Sequence, residues 1–399
     1  MSSPRPASAT AEDAAPEPPA QAAPGVVYVL PVSHLDTQWR WTVRDTVGRF
    51  LPRTVVDNAA AFRRFPHYCV NFDGAFRYAM LRRCWPEAWE EVRRWVAAGR
   101  WKVSGATWEA MDVNIPSPES LIRQVLYGRR FFRRHLGVDP RDLFLPDCFG
   151  FGAQLPIVAG HCRLTGLATS KLRRGSWMRS AVGVPFPVGV WEGADGSELL
   201  AVLDPGGYGE RLQASPAEDP EVLAQLDRQE GLCGERFAVR FFGVGDKGGA
   251  PAASSLEALE RAVAGSSPVR TVPSGSDELF RRLAEDGVDR LPRHRGELLL
   301  SEHGTGCYTS QGAMKRWNRR NELLLEAAEK AAAAADWLGG LPYPAESLRN
   351  AWRRLLWHQF HDDLTGTSIP QAYAISWHDE ALVANLAATA LRRAMGAVA

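Results

Sequence analysis

The sequence predicts an α/β protein in which a barrel of parallel strands is followed by a bundle of helices. Short, wholly apolar runs alternate with helix-like stretches, as in a parallel sheet covered by helices. Three of these runs are followed by an acid, at Asp36, Asp147 and Asp246. From about residue 312 the chain consists of long helix formers, and the length of the preceding region suits a barrel.

The predicted strands are recognised by their continuous apolar, β-branched or aromatic composition, which is typical of strands buried on both faces. They cover residues 26–30, 143–145 and 237–244. In parallel barrels the carboxyl ends of the strands and the loops after them form the active face. We therefore expect Asp36, Asp147 and Asp246, together with His34, to converge on one pocket. A single acid after a strand is usually a turn or cap residue, but three together favour a site.

The predicted helices are bounded by recognisable start and stop residues. The stretch 117–137 opens with Ser and Pro, and both it and 86–99 close with Gly. A long helix from 312 is stopped by Gly339 and Gly340, and a second one begins at about 345. These patterns predict three regions, which are a disordered Ala/Pro-rich tail at 1–24, a barrel domain at 25–298 and a helical bundle domain at 299–399.

Composition excludes several classes of function. The 47 basic residues are balanced by 46 acidic ones, which argues against nucleic-acid binding. Neither a secretory signal nor an apolar membrane span is evident. The six cysteines are scattered without a Cys-x-x-Cys pair, so neither a disulfide framework nor a thiolate zinc site is indicated. We expect a cytoplasmic protein that does not contact membranes.

The stretch "LLWHQFHDDLTG" at 355–366 places four polar residues at the end of an amphipathic helix. They are His358, His361, Asp362 and Asp363. Imidazole and carboxylate groups are suitable ligands for a zinc-type ion, and His34, Asp36 and Asp147 are one short of the usual four. We predict that His361, carried by this helix, supplies the fourth. From spacing alone, His358 and His361 are equally compatible with capping or partly buried histidines without a ligand.

Several motifs together resemble one enzyme family. They are "SHLDTQW", "WEAMDVNIPSPESLIRQ", "LPDCFGFGAQLP", "GVGDKGGAP", "YTSQGAMKRWNRRNELLLEAAE" and "WHQFHDDLTGTSIPQAY". In this order, from about residue 26 to about 380, they are similar to the glycoside hydrolase family 38 α-mannosidases, particularly the bacterial and cytosolic branch. The resemblance implies an incomplete (β/α)7-type barrel followed by a helical bundle. It also implies a retaining exo-α-mannosidase that binds one divalent metal, zinc or cobalt, and acts on terminal α-mannosides.

The resemblance assigns roles to individual residues. It implies that the metal ligands are His34, Asp36, Asp147 and His361. Asp147 is also the nucleophile, and Asp246 is the best match for the acid/base, with Asp112 or Asp362 as the carboxyls that would replace it. Trp39 is expected to stack under the sugar ring, while Phe149 and Asp362 contact it. A retaining glycosidase needs two such carboxyl groups about 5 Å apart.

This sequence also departs from the family pattern. Val32 stands where many members have a further His, and "RRGSWMRSAVGVPFPVGVW" replaces an Asn- and aromatic-bearing segment of the pocket. The family's β-rich C-terminal domains are expected to be absent, so a homo-oligomer or a separate chain is predicted to supply that region. Two alternatives stay open, namely a truncated sugar-binding or partner subunit without activity and a metal-dependent carbohydrate deacetylase. They differ in Asp147, which is a covalent nucleophile only in a mannosidase.

Overall fold

The computed structural model describes residues 24–172 and 183–398, which form an α/β architecture. The predicted tail at 1–24 lies outside the described residues except for Pro24, and so does the part of the divergent segment at 173–182. The strands are β1 Gly25–Ser33, β2 Val70–Phe72, β3 Trp101–Val103, β4 Asp142–Phe144, β5 Gly166–Ala168, β6 Val188–Glu192, β7 Glu198–Val202, β8 Phe237–Val244, β9 Val269–Pro273 and β10 Arg293–Arg295. The α-helices are α1 Val43–Asp45, α2 Leu51–Arg64, α3 Ala75–Cys84, α4 Pro86–Ala97, α5 Pro118–Leu136, α6 Leu155–His161, α7 Pro220–Cys233, α8 Ala253–Ala264, α9 Ser276–Asp286, α10 Gly312–Trp337, α11 Ala345–His358 and α12 Pro370–Val398.

The described strands form two five-stranded sheets. The first has the order β3-β2-β1-β8, with β9 also paired with β1, and all its pairs are parallel. The second has the order β10-β6-β7-β5-β4 and is parallel except between β6 and β7. The α/β class predicted from the sequence is confirmed, whereas the single sevenfold barrel stays a prediction.

Strand β1 is the centre of the first sheet. It pairs with β8 along its length, from Val26 opposite Phe237 to Ser33 opposite Val244. Val27, Val29, Leu30 and Val32 are fully buried, as expected of a strand covered on both faces. Since β1 and β8 run in the same direction and in this register, the loops that follow them emerge side by side at one edge of the sheet.

The helix boundaries follow the predicted signals closely. The Ser117 side chain accepts a hydrogen bond from Ser120 N and caps α5, which ends at Gly137 in a left-handed conformation with φ 70°. Gly339, with φ 75°, follows α10. By contrast, α11 ends at His358, so the prediction that this helix carries His361 is wrong. His361 lies in the turns that follow.

The three C-terminal helices α10, α11 and α12 pack against one another. The apolar side chains of α11 and of the turn after it are buried, with at most 2% exposed: Leu348, Trp352, Leu355, Leu356 and Phe360. On α12, Leu382, Leu386 and Leu391 are half-buried. A homo-oligomer or a second chain stays a prediction.

Among the described residues no helix has an apolar stretch long enough to cross a bilayer.

His358 and Asp363 belong to a buried polar network that fastens the turns after α11 to α12. The ring of His358 donates from Nδ1 to Asp363 Oδ2 at 2.8 Å and from Nε2 to Asp379 Oδ2 at 3.3 Å. Asp363 also accepts from Gln38 Nε2 and Ser376 Oγ. Burial alone would lower the pKa of His358, but the two carboxylates raise it to about 9. Of the four polar residues in the stretch 355–366, His358 and Asp363 are therefore structural.

This network predicts that the protein becomes less stable at alkaline pH. Because the folded pKa of His358 lies above its ordinary value of 6.5, its stabilisation is complete below pH 6.5 and is lost as the pH rises through about 9. The difference corresponds to about 3 kcal/mol of unfolding free energy. We expect denaturant unfolding at pH 6 and pH 10 to show this loss in the wild type. A His358→Gln variant, which cannot titrate, should lack it, and an equal loss in both proteins would contradict the assignment.

Candidate active site and metal centre

Four predicted ligands meet in one buried cluster. His34 and Asp36 follow β1, Asp147 follows β4 and His361 lies in the turns after α11. One nitrogen or oxygen atom of each lies within 4.8 Å of the corresponding atoms of the others. All four side chains are at least nine-tenths buried. The structure thus brings together residues that are more than 300 positions apart in the chain.

The spacing within this cluster fits a small divalent ion. His361 Nε2 lies 3.4 Å from Asp36 Oδ1 and 3.5 Å from Asp147 Oδ2, and His34 Nε2 lies 2.9 Å from Asp36 Oδ1. In a tetrahedral site with bonds of about 2.0–2.2 Å, two ligands stand about 3.3 Å apart. Two imidazoles and two carboxylates are also a donor set that zinc accepts.

A hydrogen bond to the backbone orients His361 toward the cluster. Its Nδ1–H donates to the carbonyl of Ala110 at 2.9 Å, which leaves Nε2 with its lone pair free for a metal. Nε2 is buried and has no hydrogen-bond partner within the described residues. Such an orphaned buried acceptor beside two carboxylates is costly unless an ion or a proton occupies the space between them.

A lysine neutralises part of the negative charge of the cluster. Lys171, in the loop after β5, forms a close ion pair with Asp147 Oδ1. Burial alone would raise the pKa of Asp147, but the charge of Lys171 holds it well below its usual range. Asp147 is therefore ionised at neutral pH. This is the protonation state that both a ligand and a nucleophile require.

Asp246 is brought next to the cluster by the loop after β8. Asp36 N donates to the Asp246 carbonyl at 2.7 Å and Gly248 N donates to the His34 carbonyl at 2.9 Å, so this loop is joined to the loop after β1. Asp246 has φ 60°, a conformation that is uncommon for a residue with a side chain and is typical of functional sites. Burial, followed by the charge of Asp36, raises the pKa of Asp246.

A tyrosine lies between the two candidate catalytic carboxyls. The hydroxyl of Tyr208 donates to Asp246 Oδ1 at 3.2 Å and also interacts with Asp147. Its ring stands edge-on to His34, with centroids 5.1 Å apart. The charges of both Asp147 and Asp246 raise the pKa of this hydroxyl, and the charge of Asp147 raises the pKa of Asp246, so the two carboxyl groups are neighbours in the site. This is compatible with the short separation of a retaining glycosidase.

The three predicted substrate contacts differ in how closely they approach the cluster. Asp362 Oδ2 is 3.6 Å from His361 Nε2, and burial together with the charges of Asp36 and Asp147 raises its pKa well above the ordinary value. The Phe149 ring lies 6.0 Å from that of His361. Trp39 is half-buried, and the guanidinium of Arg40 covers its indole at 4.2 Å.

Sequence reasoning missed Lys171 and Tyr208. Each lies in a loop after a strand of the second sheet, and Lys171 belongs to the "TSKL" segment directly before the divergent stretch. A basic residue after a strand is itself a signal for an active-face position. Asp112, one of the two carboxyls predicted to replace Asp246, accepts hydrogen bonds from Tyr308, Asn114 and Ile115.

Comparison with known proteins decides the family. Residues 24–297 match the model described as the glycosyl hydrolases family 38 N-terminal domain, which is more than half of the chain. The chain belongs to glycosyl hydrolase family 38. Residues 302–397 also match the alpha mannosidase middle domain, so the two matches together cover the described residues almost completely.

Curated relatives of this family 38 chain bear α-mannosidase names. Alpha-mannosidase 2C1 of Homo sapiens is 33% identical over 342 residues, which are 84% of this chain and 31% of the human protein. Alpha-mannosidase G of Dictyostelium discoideum is 31% identical over 90% of this chain and 32% of its own length. The chain thus spans about a third of the length of the curated relatives it matches.

A solved structure supports the fold. The crystal structure of an alpha-mannosidase from Enterococcus faecalis V583 superposes with a TM-score of 0.77 at 22% identity, covering 94% of this chain and 43% of the other. A family 57 branching enzyme from Thermococcus kodakaraensis matches with a TM-score of 0.59 at 10% identity, over 93% of this chain and 90% of its own. At these identities the similarity concerns the fold alone.

Proposed function

We propose that this family 38 chain is a zinc-dependent, retaining exo-α-mannosidase that hydrolyses terminal α-mannosides. The observation that carries the proposal is the buried cluster of His34, Asp36, Asp147 and His361, in which a carboxylate suited to nucleophilic attack is also a metal ligand. Asp246, on the other side of Tyr208, supplies the second carboxyl group. The α-mannosidase names of the curated relatives support the choice of mannose.

The proposed reaction uses the two carboxyl groups in two steps. In the first step Asp147 Oδ attacks the anomeric carbon, while Asp246 gives its proton to the departing glycosidic oxygen as the old bond breaks. In the second step Asp246, now ionised, takes a proton from water, and the water oxygen displaces Asp147 from the anomeric carbon. The raised pKa of Asp246 favours the protonated form needed first. The lowered pKa of Asp147 favours the ionised nucleophile.

Tyr208 is proposed to hold Asp246 in place through both steps. Burial raises the pKa of the Tyr208 hydroxyl well above its ordinary value, so it stays a donor at any working pH. A donor at 3.2 Å stabilises the ionised form of Asp246. Tyr208 therefore limits how far the pKa of Asp246 rises and keeps the group able to act as a base.

His34, Asp36, Asp147 and His361 would hold the metal. When bound, the ion would supply Lewis-acid attraction for two vicinal cis hydroxyls of the sugar, which mannose presents at its second and third positions. Asp362 is proposed to accept or donate a hydrogen bond to the same ring, with Phe149 and Trp39 packing against its apolar faces. Lys171 balances the charge of Asp147 until the sugar arrives.

The six cysteines support a further proposal about location. All of them are free: Cys69, Cys84, Cys148, Cys162, Cys233 and Cys307. A protein without disulfides is typical of a reducing compartment, and we propose the cytoplasm.

Metal removal and a simple assay test the proposed function. We expect the purified protein to contain about one zinc or cobalt ion and to release nitrophenol from an aryl α-mannoside. Chelation should abolish this rate, and added zinc or cobalt should restore it. Acetate release from an N-acetylated sugar, without action on the mannoside, would support the deacetylase alternative. Metal-loaded protein inactive on both would support the sugar-binding subunit.

His361→Ala should separate the metal site from a merely structural histidine. Loss of a buried ligand should lower metal content at least about tenfold and lower the melting temperature of the metal-loaded protein. His67→Ala is the matched control, because His67 is an exposed histidine paired with Glu260 on the surface. A His361→Ala protein with full metal content would show that this turn does not contribute to the site.

Tyr208→Phe should change the pH dependence in one direction. Without the donated hydrogen bond the pKa of Asp246 rises further, so the protonated acid persists to higher pH. We expect the alkaline limb of the kcat/KM profile to move to higher pH. Tyr308→Phe is the control, because Tyr308 donates to Asp112 rather than to Asp246. The alkaline limb of the kcat/KM profile of this variant should not move. A downward shift in Tyr208→Phe would contradict the contact.

A further inference from the structure

A second cavity lies apart from the metal cluster. It has a volume of about 800 Å³ and is bounded by the segment after Trp41, α3, the end of α5, α11 and α12. None of the residues assigned to the metal or to catalysis lines it. The volume falls within the range of small-molecule sites in proteins, about 300–1,000 Å³.

The floor of the cavity is aromatic. Four rings that line it are 4–8% exposed: Phe76, Trp108, Phe131 and Trp357. Phe76 and Trp357 are stacked, with centroids 4.7 Å apart and planes inclined by 12°. Flat aromatic surfaces of this kind are suited to stacking against a planar ring.

The rim of the cavity carries arginines without acidic partners. Arg44, Arg82, Arg83 and Arg353 line it, all exposed, and within 24–172 and 183–398 none of the four forms an ion pair with a carboxylate. The cavity's own acid, Asp379, is already bound to Arg354 and His358. Burial, followed by the charges of Arg82 and Arg134, lowers the pKa of His135 in the same wall. The local charge is thus strongly positive in a protein whose net charge is only +1.

The arginines give the rim an excess of hydrogen-bond donors over acceptors. A guanidinium group has only donors, so the ligand that complements this rim is rich in acceptors.

We propose that this cavity binds a small anionic ring compound of the nucleoside phosphate class. The phosphate would lie against the guanidinium groups of the rim, where forked donors match its oxygens, and the base would stack on the aromatic floor. Guanidinium groups hold phosphate through two parallel hydrogen bonds, which a lysine cannot do. The site is distinct from the proposed mannosidase centre, and its occupancy is measured by binding alone.

Titration calorimetry of the full chain with adenosine monophosphate tests the proposal. A monophosphate is chosen because a triphosphate would also chelate the metal. We expect saturable one-to-one binding with Kd below about 1 mM. Adenosine and inorganic phosphate should each bind at least about tenfold more weakly, because each lacks half of the contacts. Absence of saturation up to about 10 mM would overturn the proposal, and equal binding of phosphate alone would overturn the stacking part of it.

Three variants locate the ligand. Arg353→Ala should weaken binding about tenfold to a hundredfold, the value of one charge-assisted hydrogen bond. Arg353→Lys, which keeps the charge and removes the fork, should also weaken it and guards against a folding defect. Arg134→Ala is the matched control, since Arg134 raises the local potential without lining the cavity. If Arg134→Ala weakens binding as much as Arg353→Ala, a diffuse field rather than this cavity is responsible, and the proposal fails.

Discussion

Asp147→Asn is expected to lower turnover of every α-mannoside by about 10⁴-fold or more, because the proposed nucleophile cannot be replaced by an amide. The loss should be the same for activated and unactivated leaving groups, since the first chemical step itself fails. Metal content should be measured in the same preparation, because Asp147 is also a ligand in the proposed centre. Asp139→Asn is the control, as Asp139 is paired with Arg129 and Arg133 near the surface.

A residual rate within about tenfold of the wild type would remove Asp147 from the nucleophile's role. Full metal content with no turnover would separate the two roles of Asp147 and support the covalent step. Loss of both metal and turnover would be explained by the missing ligand alone. A labelling experiment would then decide whether Asp147 is also the nucleophile.

Asp246→Gly is expected to divide substrates by their leaving groups. Glycine suits φ 60° at this position and leaves a space that a small anion can enter. Without the acid, hydrolysis of an alkyl mannoside should fall by about 10²- to 10⁴-fold, whereas the first step with a dinitrophenyl mannoside should survive. The second step then lacks its base, so the mannosyl-enzyme should accumulate.

Added azide should restore turnover of the activated substrate in Asp246→Gly and yield the α-configured mannosyl azide. Lys247→Ala, in the same loop, is the control, because Lys247 is exposed and lies over Trp41. Near-normal rates of Asp246→Gly on both substrates, or azide without effect, would transfer the acid/base role to another carboxyl. Asp362, whose pKa is also raised, would be the first to examine.

The elements that the sequence predicts well are buried strands and helices that can be recognised from their own apolar residues. β1 and β8 are largely apolar because both of their faces are covered, and the charged exception is Arg240 in β8. The loops after the two strands emerge together because the strands are paired in parallel. The approach of His34 and Asp36 to Asp246 follows from this pairing, whereas Asp147 comes from the loop after β4 in the second sheet. Charge balance and scattered cysteines likewise report on composition and need no tertiary information.

Features that depend on tertiary contacts could not be predicted. No breaker occurs before Gly366, yet α11 ends at His358, where Gln359 donates to Asn318 on α10 and His358 binds Asp363. Tyr208 and Lys171 reach the site from loops whose paths depend on packing. The antiparallel pair β6 and β7 was not predicted, although its connecting residues 193–197, rich in Gly and Asp, are typical of a hairpin turn.

Mass spectrometry after trapping with a 5-fluoro-mannosyl fluoride tests the central claim most directly. This reagent slows the second step more than the first, so a covalent sugar remains on the nucleophile. We predict that a peptic peptide containing Asp147 gains the mass of one fluoromannosyl group, and that the label requires bound metal and is absent from Asp147→Asn. A label on a different carboxylate, or turnover of an aryl α-mannoside by protein that never acquires a label, would contradict the proposed mechanism.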